Sequence, residues 1–568
     1  MTFWASIRRA VQIAIVAVVL IVSSQAEGSE PGKDLPQPPS VEELRKAARA
    51  AEKNGDWEAA FAAYCHLYVA DRGARDIREK LSLALRRTQQ LRRHRDPHFQ
   101  QFAASMTVSD AMKLYGEVLT KVSVMYVDRE RATPQILWEH GIDELARALT
   151  DPAFRTACLN GASSDAVDGF RTALRLSWAK RPVRNAADAK LLLRKLIAAA
   201  QEKDSFTATA PSALILEILC GSCGELDEYT VFLNPSQLNP DSISAIPDLS
   251  AQGVYLEFAE DEVLIGGIAP YSWAAYNTTL AKGDRIVQIN GRPLTMGVPT
   301  PAVVAESLRA HLGEFHSLLV ARAGSSNQPS SMPDEFQLPV VVPTVYGERM
   351  VTTRDGVGYA RVGNFTASTP RELDDVLNRM KLRGIRAIVL DLRGNMGGSF
   401  LAGVETAKRL IPAGIIVSTQ GQLPQIDNQP FSSDSGMSAH DLPVVVLVDS
   451  ETASAAEVLA AALKDHNRAT LIGMPTFGKG TIQYPLRLDS LDDVESGGKS
   501  RTNKSGGVRL TIAKFVSPRG TPINGVGIVP HILEADRENQ LKRGIAKAAE
   551  LIPISPTNSV GPMLPIAP

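Results

Sequence analysis

From residue 357 onward, short and largely apolar runs alternate with helical patterns, and this alternation restricts the fold more than any other feature. The predicted strands span 357–362, 387–390, 444–448 and 470–472, and the predicted helices between them span 370–382, 400–410 and 453–463. Strands that are apolar throughout are buried on both faces, as in a parallel sheet covered by helices. The region of about 340–535 is therefore predicted to be a layered α/β core, with its active site at strand-to-helix turns.

A different pattern precedes this core. Short β-type runs are separated by the turn signals Gly283-Asp284 and Asn290-Gly291, and a Ser/Pro-rich loop follows them. The runs lie at 254–258, 262–268, 285–289 and 318–322, and the loop lies at 324–333. This pattern predicts a small, mostly β domain at about 250–325.

The N-terminal half is predicted to be helical. Residues 41–100 have a helical periodicity, and the stretch 55–64 resembles the first helix of a tetratricopeptide unit. A second helical region spans 108–235, with amphipathic stretches at 111–126, 136–149 and 189–201 and a polar, irregular middle. The stretch at about 150–210 is interpreted as an insertion. A chain of 568 residues with 44% apolar content can hold several such domains. The prediction for the whole chain is an α+β multidomain protein.

The first 26 residues have the organisation of an export signal. Arg8 and Arg9 precede an apolar run at 10–22, and Ser24 and Ala26 supply the small side chains that allow cleavage after Ala26. The run is shorter than the roughly 20 apolar residues of a membrane span. We expect an exported protein of the periplasm or cell envelope, followed by a linker at 27–40. An uncleaved N-terminal membrane anchor is the alternative.

Charge and cysteine content exclude several classes of protein. The formal net charge of −1, from 61 basic and 62 acidic residues, gives no general attraction to nucleic acid or anionic lipid. Four cysteines are too few for a disulfide scaffold. Cys220 and Cys223 have redox or half-zinc-site spacing, but neither a second such pair nor an HExxH motif accompanies them. We expect a local disulfide or two buried thiols, and neither a metal nor another cofactor.

Three short segments of the core carry residues suited to catalysis. The turn at 391–398 is rich in glycine, and its exposed N–H groups at a helix start would favour a developing negative charge. Ser454 lies near the start of another helix, where serine is ordinarily a cap. Lys479 stands between Gly478 and Gly480 on a strand-like segment. Taken singly, the three features are better explained by a phosphate-binding or simple tight turn, a helix cap and a solvated lysine.

Together these segments resemble the motifs of the carboxy-terminal processing proteases, which are tail-specific serine peptidases with a PDZ domain. The family patterns DLRxNxGG, SAS-A-SE and GKGxxQ correspond, in the same order, to 391–398, 452–457 and 478–483. Gln483 follows Lys479 by four positions, as in the family. The resemblance covers about residues 108–535 and implies a ClpP/crotonase-like protease core.

The resemblance also implies a role for each matching residue. Ser454 would be the nucleophile, Lys479 the general base, and Gln483 the residue that orients the lysine. Backbone N–H groups of Ala455 and of Gly397 or Gly398 would form the oxyanion hole. This chemistry is coherent because an amine accepts the serine proton only when it is neutral, and desolvation favours the neutral form of lysine.

The sequence departs from the family pattern at several positions near these residues. Met396 replaces the usual proline, Glu451-Thr452 precedes the nucleophile where Gly-Ser is common, and Ala456 replaces a frequent serine. None of these changes removes a catalytic group. His440 and His466 lie outside any triad pattern, and we interpret both as structural.

Residues 253–322 resemble the PDZ domain of the family, which captures the C-terminal tail of a substrate as an added strand. The residues that would border this peptide-binding groove are Val254, Tyr255, Leu256, Glu257 and Phe258. The expected substrates are envelope or secreted proteins with exposed C-termini. Residues 536–568 are predicted to form a C-terminal helix and a Pro-rich tail.

Two other functions are compatible with parts of this pattern. A catalytically silent scaffold would use the PDZ-like and helical-repeat segments to bind partners, but Ser454, Lys479 and Gln483 are all intact. A crotonase-like acyl-transfer enzyme would not account for their spacing or for the PDZ-like module. A protein partner for residues 41–100 and assembly into a homo-oligomer are left open by the sequence.

Overall fold

The structure is a computed structural model of the full chain. The described residues are 40–70, 74–159, 162–201, 210–238, 249–259, 262–269, 272–294, 300–309, 313–323, 332–352, 355–422, 430–434, 440–492 and 504–553. The predicted export signal, residues 27–39 of the predicted linker and the Pro-rich tail after residue 553 lie outside these ranges. The chain forms two compact units: residues 1–244, 419–428 and 481–514 belong to the first, and residues 245–418, 429–480 and 515–568 to the second.

The helices of the described residues follow in chain order. They are α1 (Val41–Asn54), α2 (Trp57–Ala70), α3 (Arg75–Arg95), α4 (Pro97–Ser105), α5 (Val108–Met125), α6 (Pro134–Ala148), α7 (Pro152–Cys158), α8 (Ser164–Ala173), α9 (Ala186–Gln201), α10 (Pro211–Gly224), α11 (Pro235–Leu238), α12 (Trp273–Asn277), α13 (Pro301–Arg309), α14 (Thr369–Leu382), α15 (Phe400–Lys408), α16 (Ala455–Asp465) and α17 (Arg537–Glu550).

The strands of the described residues are numbered in the same way. They are β1 (Val231–Leu233), β2 (Val254–Phe258), β3 (Val263–Ile268), β4 (Arg285–Ile289), β5 (Arg292–Pro293), β6 (Phe315–Ala321), β7 (Asp334–Pro339), β8 (Val345–Thr352), β9 (Val357–Val362), β10 (Ala387–Asp391), β11 (Gly414–Gly421), β12 (Pro430–Ser433), β13 (Val444–Val448), β14 (Ala469–Gly473), β15 (Thr481–Arg487), β16 (Gly507–Val516) and β17 (Ile532–Leu533).

The first unit is mainly helical, as predicted. Helices α5, α6, α9 and α10 contribute to one apolar core in which Tyr115, Trp138 and Leu214 are fully buried. Strands β1 and β15 each pair antiparallel with β16. Because Val508 and Leu510 of β16 belong to the same core as the helices, this small sheet is packed against them.

The prediction of an irregular middle in the insertion is wrong for residues 152–178. Helices α7 and α8 lie there, and a single π-helical turn at Leu174–Trp178 follows them. The side chains of Asp151 and Ser163 cap the two helices by accepting hydrogen bonds from backbone N–H groups. Phe154 and Phe170 are buried in the core of the unit, so a few apolar residues are enough to hold these polar helices in place.

The second unit begins with the predicted small, mostly β segment. Its antiparallel sheet has the strand order β2-β3-β4-β6-β7, with β5 paired to β4. The core of this sheet contains Val254, Ile265 and Leu318 from the strands and Val304 from α13. The strands at 254–258 and 285–289 lie where the sequence predicts them. The PDZ-like character of the segment and the domain boundaries given above stay predictions.

The rest of the second unit contains the predicted α/β layers. Its six-stranded sheet has the order β17-β14-β13-β10-β9-β8, in which neighbouring strands are parallel except for the β8–β9 pair. Every residue of β9, β10 and β13 is buried, as their largely apolar sequences predict, and the charged Arg361 of β9 and Asp391 of β10 are buried with them. Helix α17 packs against β9, β10, β13 and β14. The ClpP/crotonase-like identity of this core stays a prediction.

The four cysteines are free thiols, and Cys220 and Cys223 are buried. Of the two states expected for this pair, the structure therefore shows two buried thiols. Burial raises the pKa of Cys220 to about 12, so this thiol is protonated at neutral pH and is a poor nucleophile. Within the described residues, no helix combines the length and the apolar character that crossing a membrane requires.

Candidate active site

The glycine-rich turn at 391–398 and the segment that carries Ser454 lie side by side at one edge of the parallel sheet. Strands β10 and β13 are paired in parallel, with Asp391 opposite Leu447, so both chains leave the sheet at the same edge. The turns are joined by hydrogen bonds: the Ala453 N–H donates to the Asn395 carbonyl at 2.9 Å, and the Thr452 hydroxyl donates to the Leu392 carbonyl at 2.9 Å. The fold thus places the glycine-rich turn beside the segment that carries Ser454.

Ser454 caps helix α16 and has an unusual backbone conformation. Its φ is 58° and its ψ is −118°, a left-handed region that residues with a Cβ atom rarely occupy. Ser454 is half-buried, and the following Ala455 is buried as the first residue of the helix. A strained residue at a helix start is typical of a functional position, because the surrounding structure must hold it there.

The glycine-rich turn leaves no room for side chains beside Ser454. A Cβ atom built on Gly397 would lie 2.7 Å from the Ser454 Cβ and 3.0 Å from the Ala455 nitrogen. One built on Gly398 would lie 2.2 Å from the Phe365 carbonyl oxygen. Both glycines also have positive φ angles, 99° and 140°. The turn therefore requires glycine at both positions in order to approach the serine.

The hydrogen bonds of the turn distinguish the two glycines proposed for the oxyanion hole. The Gly397 N–H donates to the Asn395 Oδ1 at 2.8 Å, and the Asn395 Nδ2 donates to the Val362 carbonyl at 2.7 Å. Within the described residues, the N–H groups of Gly398 and Ala455 donate no hydrogen bond. Gly398 and Ala455 are thus the better candidates for the hole, whereas the Gly397 amide is already engaged.

Lys479 is buried next to the start of the same helix. Lys479 is only 5% exposed, and its backbone N–H donates to Glu457 Oε2 at 2.8 Å. The Ser454 N–H donates to the same oxygen, also at 2.8 Å. The flanking glycines are tightly packed, since a Cβ on Gly480 would lie 2.4 Å from the Asn524 nitrogen. The main chains of Ser454 and Lys479 therefore meet at one carboxylate oxygen.

Glu457 is a residue that the sequence analysis did not single out. Its carboxylate is fully buried and accepts two further hydrogen bonds at Oε1, from the Thr476 hydroxyl at 2.5 Å and the Gly478 N–H at 2.7 Å. Burial raises the pKa of Glu457, and the four hydrogen bonds to its oxygens oppose this effect. A glutamate at the third position of a helix is typical of a capping box, so its sequence position alone did not indicate a further role.

A second buried carboxylate, Asp391, organises the start of the glycine-rich turn. It accepts hydrogen bonds from the Arg393 side chain, and the Tyr359 hydroxyl donates to its Oδ2 at 2.7 Å. Burial would raise the pKa of Asp391, but the positive charges of Arg361 and Arg393 and the hydrogen bonds from Arg393 hold it below its usual range. Asp391 is therefore ionised at neutral pH and fixes the turn through Arg393.

The small sheet segment reaches this network through Tyr276 of α12. The Tyr276 and Tyr359 hydroxyls are hydrogen-bonded at 3.0 Å, and Tyr359 in turn contacts Asp391. The aromatic residue thus connects α12 to the residue that begins the glycine-rich turn.

The remaining predicted site residues lie in other surroundings. Gln483 belongs to the first unit, where its side-chain amide donates to the hydroxyls of Thr481 and Thr511 at 2.9 and 3.1 Å. Its predicted role toward Lys479 stays a prediction. His440 contacts Asp374 at 3.1 Å, and His466 contacts the Ile415 carbonyl at 2.7 Å. These contacts agree with the structural interpretation of both histidines.

The predicted peptide-binding strand, β2, is an edge strand of the small sheet. Among the described residues it pairs only with β3, so its other edge is open to an additional strand. Val254 is buried, Tyr255 and Leu256 are half-buried, and Glu257 and Phe258 are exposed. The geometry is compatible with β-strand addition, and the binding role of these five residues stays a prediction.

Comparison with known proteins gives the family of this chain. The model of peptidase family S41 matches residues 356–533. The carboxyl-terminal-processing protease of Synechocystis sp. is 30% identical over 367 residues, which cover 63% of this chain and 73% of that protein. The carboxy-terminal-processing protease of Bartonella bacilliformis is 30% identical over 328 residues, which cover 56% and 69% of the two chains. This chain belongs to peptidase family S41.

Within that family, the resemblance to the carboxy-terminal processing proteases is confirmed. The protease of this type from Bacillus subtilis is also similar, with 27% identity over 337 residues. Among solved structures, the photosystem II D1 C-terminal processing protease matches 78% of this chain and 99% of its own length, with 24% identity and a TM-score of 0.39.

Proposed function

We propose that this chain is an exported serine endopeptidase of the carboxy-terminal processing type, with Ser454 as nucleophile and Lys479 as general base. The observation that carries the proposal is the meeting of both main chains at Glu457 Oε2. It supports the dyad because residues 25 positions apart in sequence then lie next to each other. The family match supports a peptidase that acts on protein or peptide substrates.

In the first half of the reaction, the Ser454 hydroxyl attacks the carbonyl carbon of the peptide bond and transfers its proton to the neutral Lys479 amine. The carbonyl oxygen becomes an oxyanion, which the N–H groups of Ala455 and Gly398 would stabilise. The C–N bond then breaks, and the Lys479 ammonium returns the proton to the leaving amine. The product is an ester between Ser454 and the N-terminal part of the substrate.

In the second half, a water molecule replaces the leaving peptide. Lys479 removes a proton from this water, whose oxygen attacks the ester carbonyl, and the same two N–H groups stabilise the second oxyanion. Breaking the ester releases a new C-terminus and restores the Ser454 hydroxyl. Each step uses the same amine first as a base and then as an acid, so the mechanism requires neither a histidine nor a metal.

Substrate selection is proposed to depend on the C-terminal tail of the substrate. An extended tail would add to the open edge of β2, where main-chain hydrogen bonds supply affinity. The half-buried Tyr255 and Leu256 and the exposed Phe258 of β2 supply apolar surface on this strand. We therefore propose that the tails it captures end in apolar residues.

An unstructured substrate with a free, apolar C-terminus should be cleaved more efficiently than the same chain ending in two aspartates. We expect KM to rise about tenfold for the acidic tail with little change in kcat, because tail binding contributes affinity rather than chemistry. Steady-state kinetics on the matched pair measures this difference. Equal KM values would contradict tail recognition while leaving the dyad unaffected.

Export is proposed from the predicted signal at residues 1–26. The substrates would then be envelope or secreted proteins, consistent with the expected location in the periplasm or cell envelope. The protein can be purified from separate fractions of the host cell, which gives its location, and then sequenced from its N-terminus. Cleavage after Ala26 would leave Glu27 as the first residue. Recovery of an intact N-terminus in the membrane fraction would favour the anchor instead.

The proposed activity is tested by incubating the purified protein with an unstructured protein substrate. We expect new termini that mass spectrometry can assign, and a Ser454→Ala preparation made in parallel reports any contaminating protease. Cleavage that is equal in both preparations, or absent from both under conditions where the protein is folded, would overturn the proposal. In the second case a catalytically silent scaffold would become the better interpretation.

A further inference from the structure

We propose that Glu457 is a positioning residue of the catalytic dyad: its buried carboxylate holds the nucleophile and the base at a fixed separation. The inference rests on the proposed roles of Ser454 and Lys479. It assigns no bond-making step to Glu457. Its effect would be to keep the serine hydroxyl and the lysine amine in the arrangement that proton transfer requires.

The hydrogen bonds of the two carboxylate oxygens divide between two segments of chain. Oε2 accepts the N–H groups of Ser454 and Lys479, both at 2.8 Å. Oε1 accepts the Thr476 hydroxyl at 2.5 Å and the Gly478 N–H at 2.7 Å. One donor thus comes from the residue that begins α16, and three come from residues 476–479, just before β15. Moving either segment would break a hydrogen bond to the same carboxylate.

This arrangement exceeds what a helix cap requires. In a capping box, a glutamate at the third helical position accepts one N–H from the cap residue of its own helix. Glu457 makes that bond to Ser454 and then uses its remaining capacity on residues about twenty positions later. A cap alone would leave Glu457 partly solvated at the helix start, but its residue exposure is 0%.

Charge gives Glu457 a second effect on the dyad. The four donors around the carboxylate are uncharged backbone and hydroxyl groups, and among the residues that donate them only Lys479 has a titratable side chain. An ionised Glu457 would favour the protonated form of the Lys479 amine through the poorly screened interior. Removing that negative charge should therefore make the amine neutral at lower pH.

The structure offers a matched control carboxylate in the same unit. Glu372, in the first turn of α14, accepts hydrogen bonds from the backbone N–H groups of Thr344 and Val345 at 2.6 and 3.0 Å. The hydroxyls of Thr344 and Ser368 also donate to it, at 2.8 and 2.6 Å. Glu372 thus also has four donors, two N–H groups and two hydroxyls, but it is half-buried and none of its donors comes from the three catalytic motifs.

The test compares Glu457→Gln with Glu372→Gln in the full chain. A glutamine offers one acceptor oxygen, and its NH2 group would face two donors, so we expect kcat of Glu457→Gln to fall about 100-fold or more. The rising limb of its pH–rate profile should move to lower pH by about one pH unit. The reason is that the negative charge of the Glu457 carboxylate, which accepts the Lys479 backbone N–H, is gone. Glu372→Gln should lower the melting temperature without moving this limb.

The outcomes separate positioning from a purely structural role. A Glu457→Gln variant whose loss of activity only follows its unfolded fraction, with an unmoved pH limb, would overturn the inference. If this variant does not fold, Glu457→Asp replaces it: this change keeps the charge and both oxygens but shortens the side chain. We expect its kcat to fall at least tenfold with the limb in place, and a kcat equal to that of the unchanged protein would overturn the inference. Cleavage that survives Ser454→Ala would instead contradict the proposed function.

Discussion

Replacing Lys479 by arginine is expected to abolish peptide hydrolysis. Arginine keeps the positive charge and most of the length of lysine, but its guanidinium does not release a proton at working pH and cannot act as a base. We expect kcat to fall by about 10⁴ or more, the effect seen when a member of a catalytic unit is removed. Initial rates of cleavage of an unstructured protein measure this loss. Ser454→Ala should reduce kcat to a similar level.

The Lys479→Arg experiment needs a control for folding, because Lys479 is only 5% exposed and a larger group there can strain the packing. Lys464→Arg is a suitable control on α16, the helix that Ser454 caps: its ammonium lies at the surface and donates to the Val529 carbonyl at 2.7 Å. This variant should keep its activity. A folded Lys479→Arg protein within tenfold of the unchanged kcat would show that another group is the base.

Gly397→Ala is expected to lower activity through a steric clash with Ser454. The added Cβ would lie 2.7 Å from the Ser454 Cβ and 2.8 Å from the Ala453 carbonyl oxygen, both closer than real Cβ contacts. Residue 397 also has a φ of 99°, which strains any residue other than glycine. The turn or the start of α16 must shift by a few tenths of an ångström or more. We expect kcat to fall about 100-fold, because the amides and the serine are then misplaced.

Gly384→Ala is the matched control for this prediction. Gly384 also has a positive φ, 78°, but a Cβ there would meet nothing within 4 Å. This variant should lose about 1 kcal/mol of stability from backbone strain and keep its kcat. Thermal unfolding and steady-state rates measure both quantities. Equal kcat losses in the two variants would show that strain alone, and not the contact with Ser454, accounts for the effect.

Much of the α/β core could be predicted from the sequence because its strands are buried on both faces. Strand β13 begins and ends where its apolar run does, since no polar residue interrupts the pattern. The polar helices α7 and α8 were missed for the opposite reason. They are held by caps and by a few buried aromatic residues, and those contacts come from segments distant in sequence.

The site was predicted unevenly. Ser454 and Lys479 could be named because the family motifs carry them, and the structure brings their main chains together. Glu457 was not singled out, although it is the last residue of the 452–457 motif, because a glutamate three residues into a helix has an ordinary explanation as a cap. The choice between Gly397 and Gly398 also depends on an observation that spacing does not contain, the hydrogen bond from the Gly397 amide to Asn395.

The left-handed backbone of Ser454 limits which residues could ever replace it. Threonine would also supply a hydroxyl, but its branched Cβ is poorly tolerated at a φ of 58°. Glycine would relax the backbone and remove the reactive group, so the substitution that the fold prefers is one that destroys the enzyme. A substitution that makes the protein more stable at position 454 would therefore also inactivate it, which is a common trade-off between stability and function.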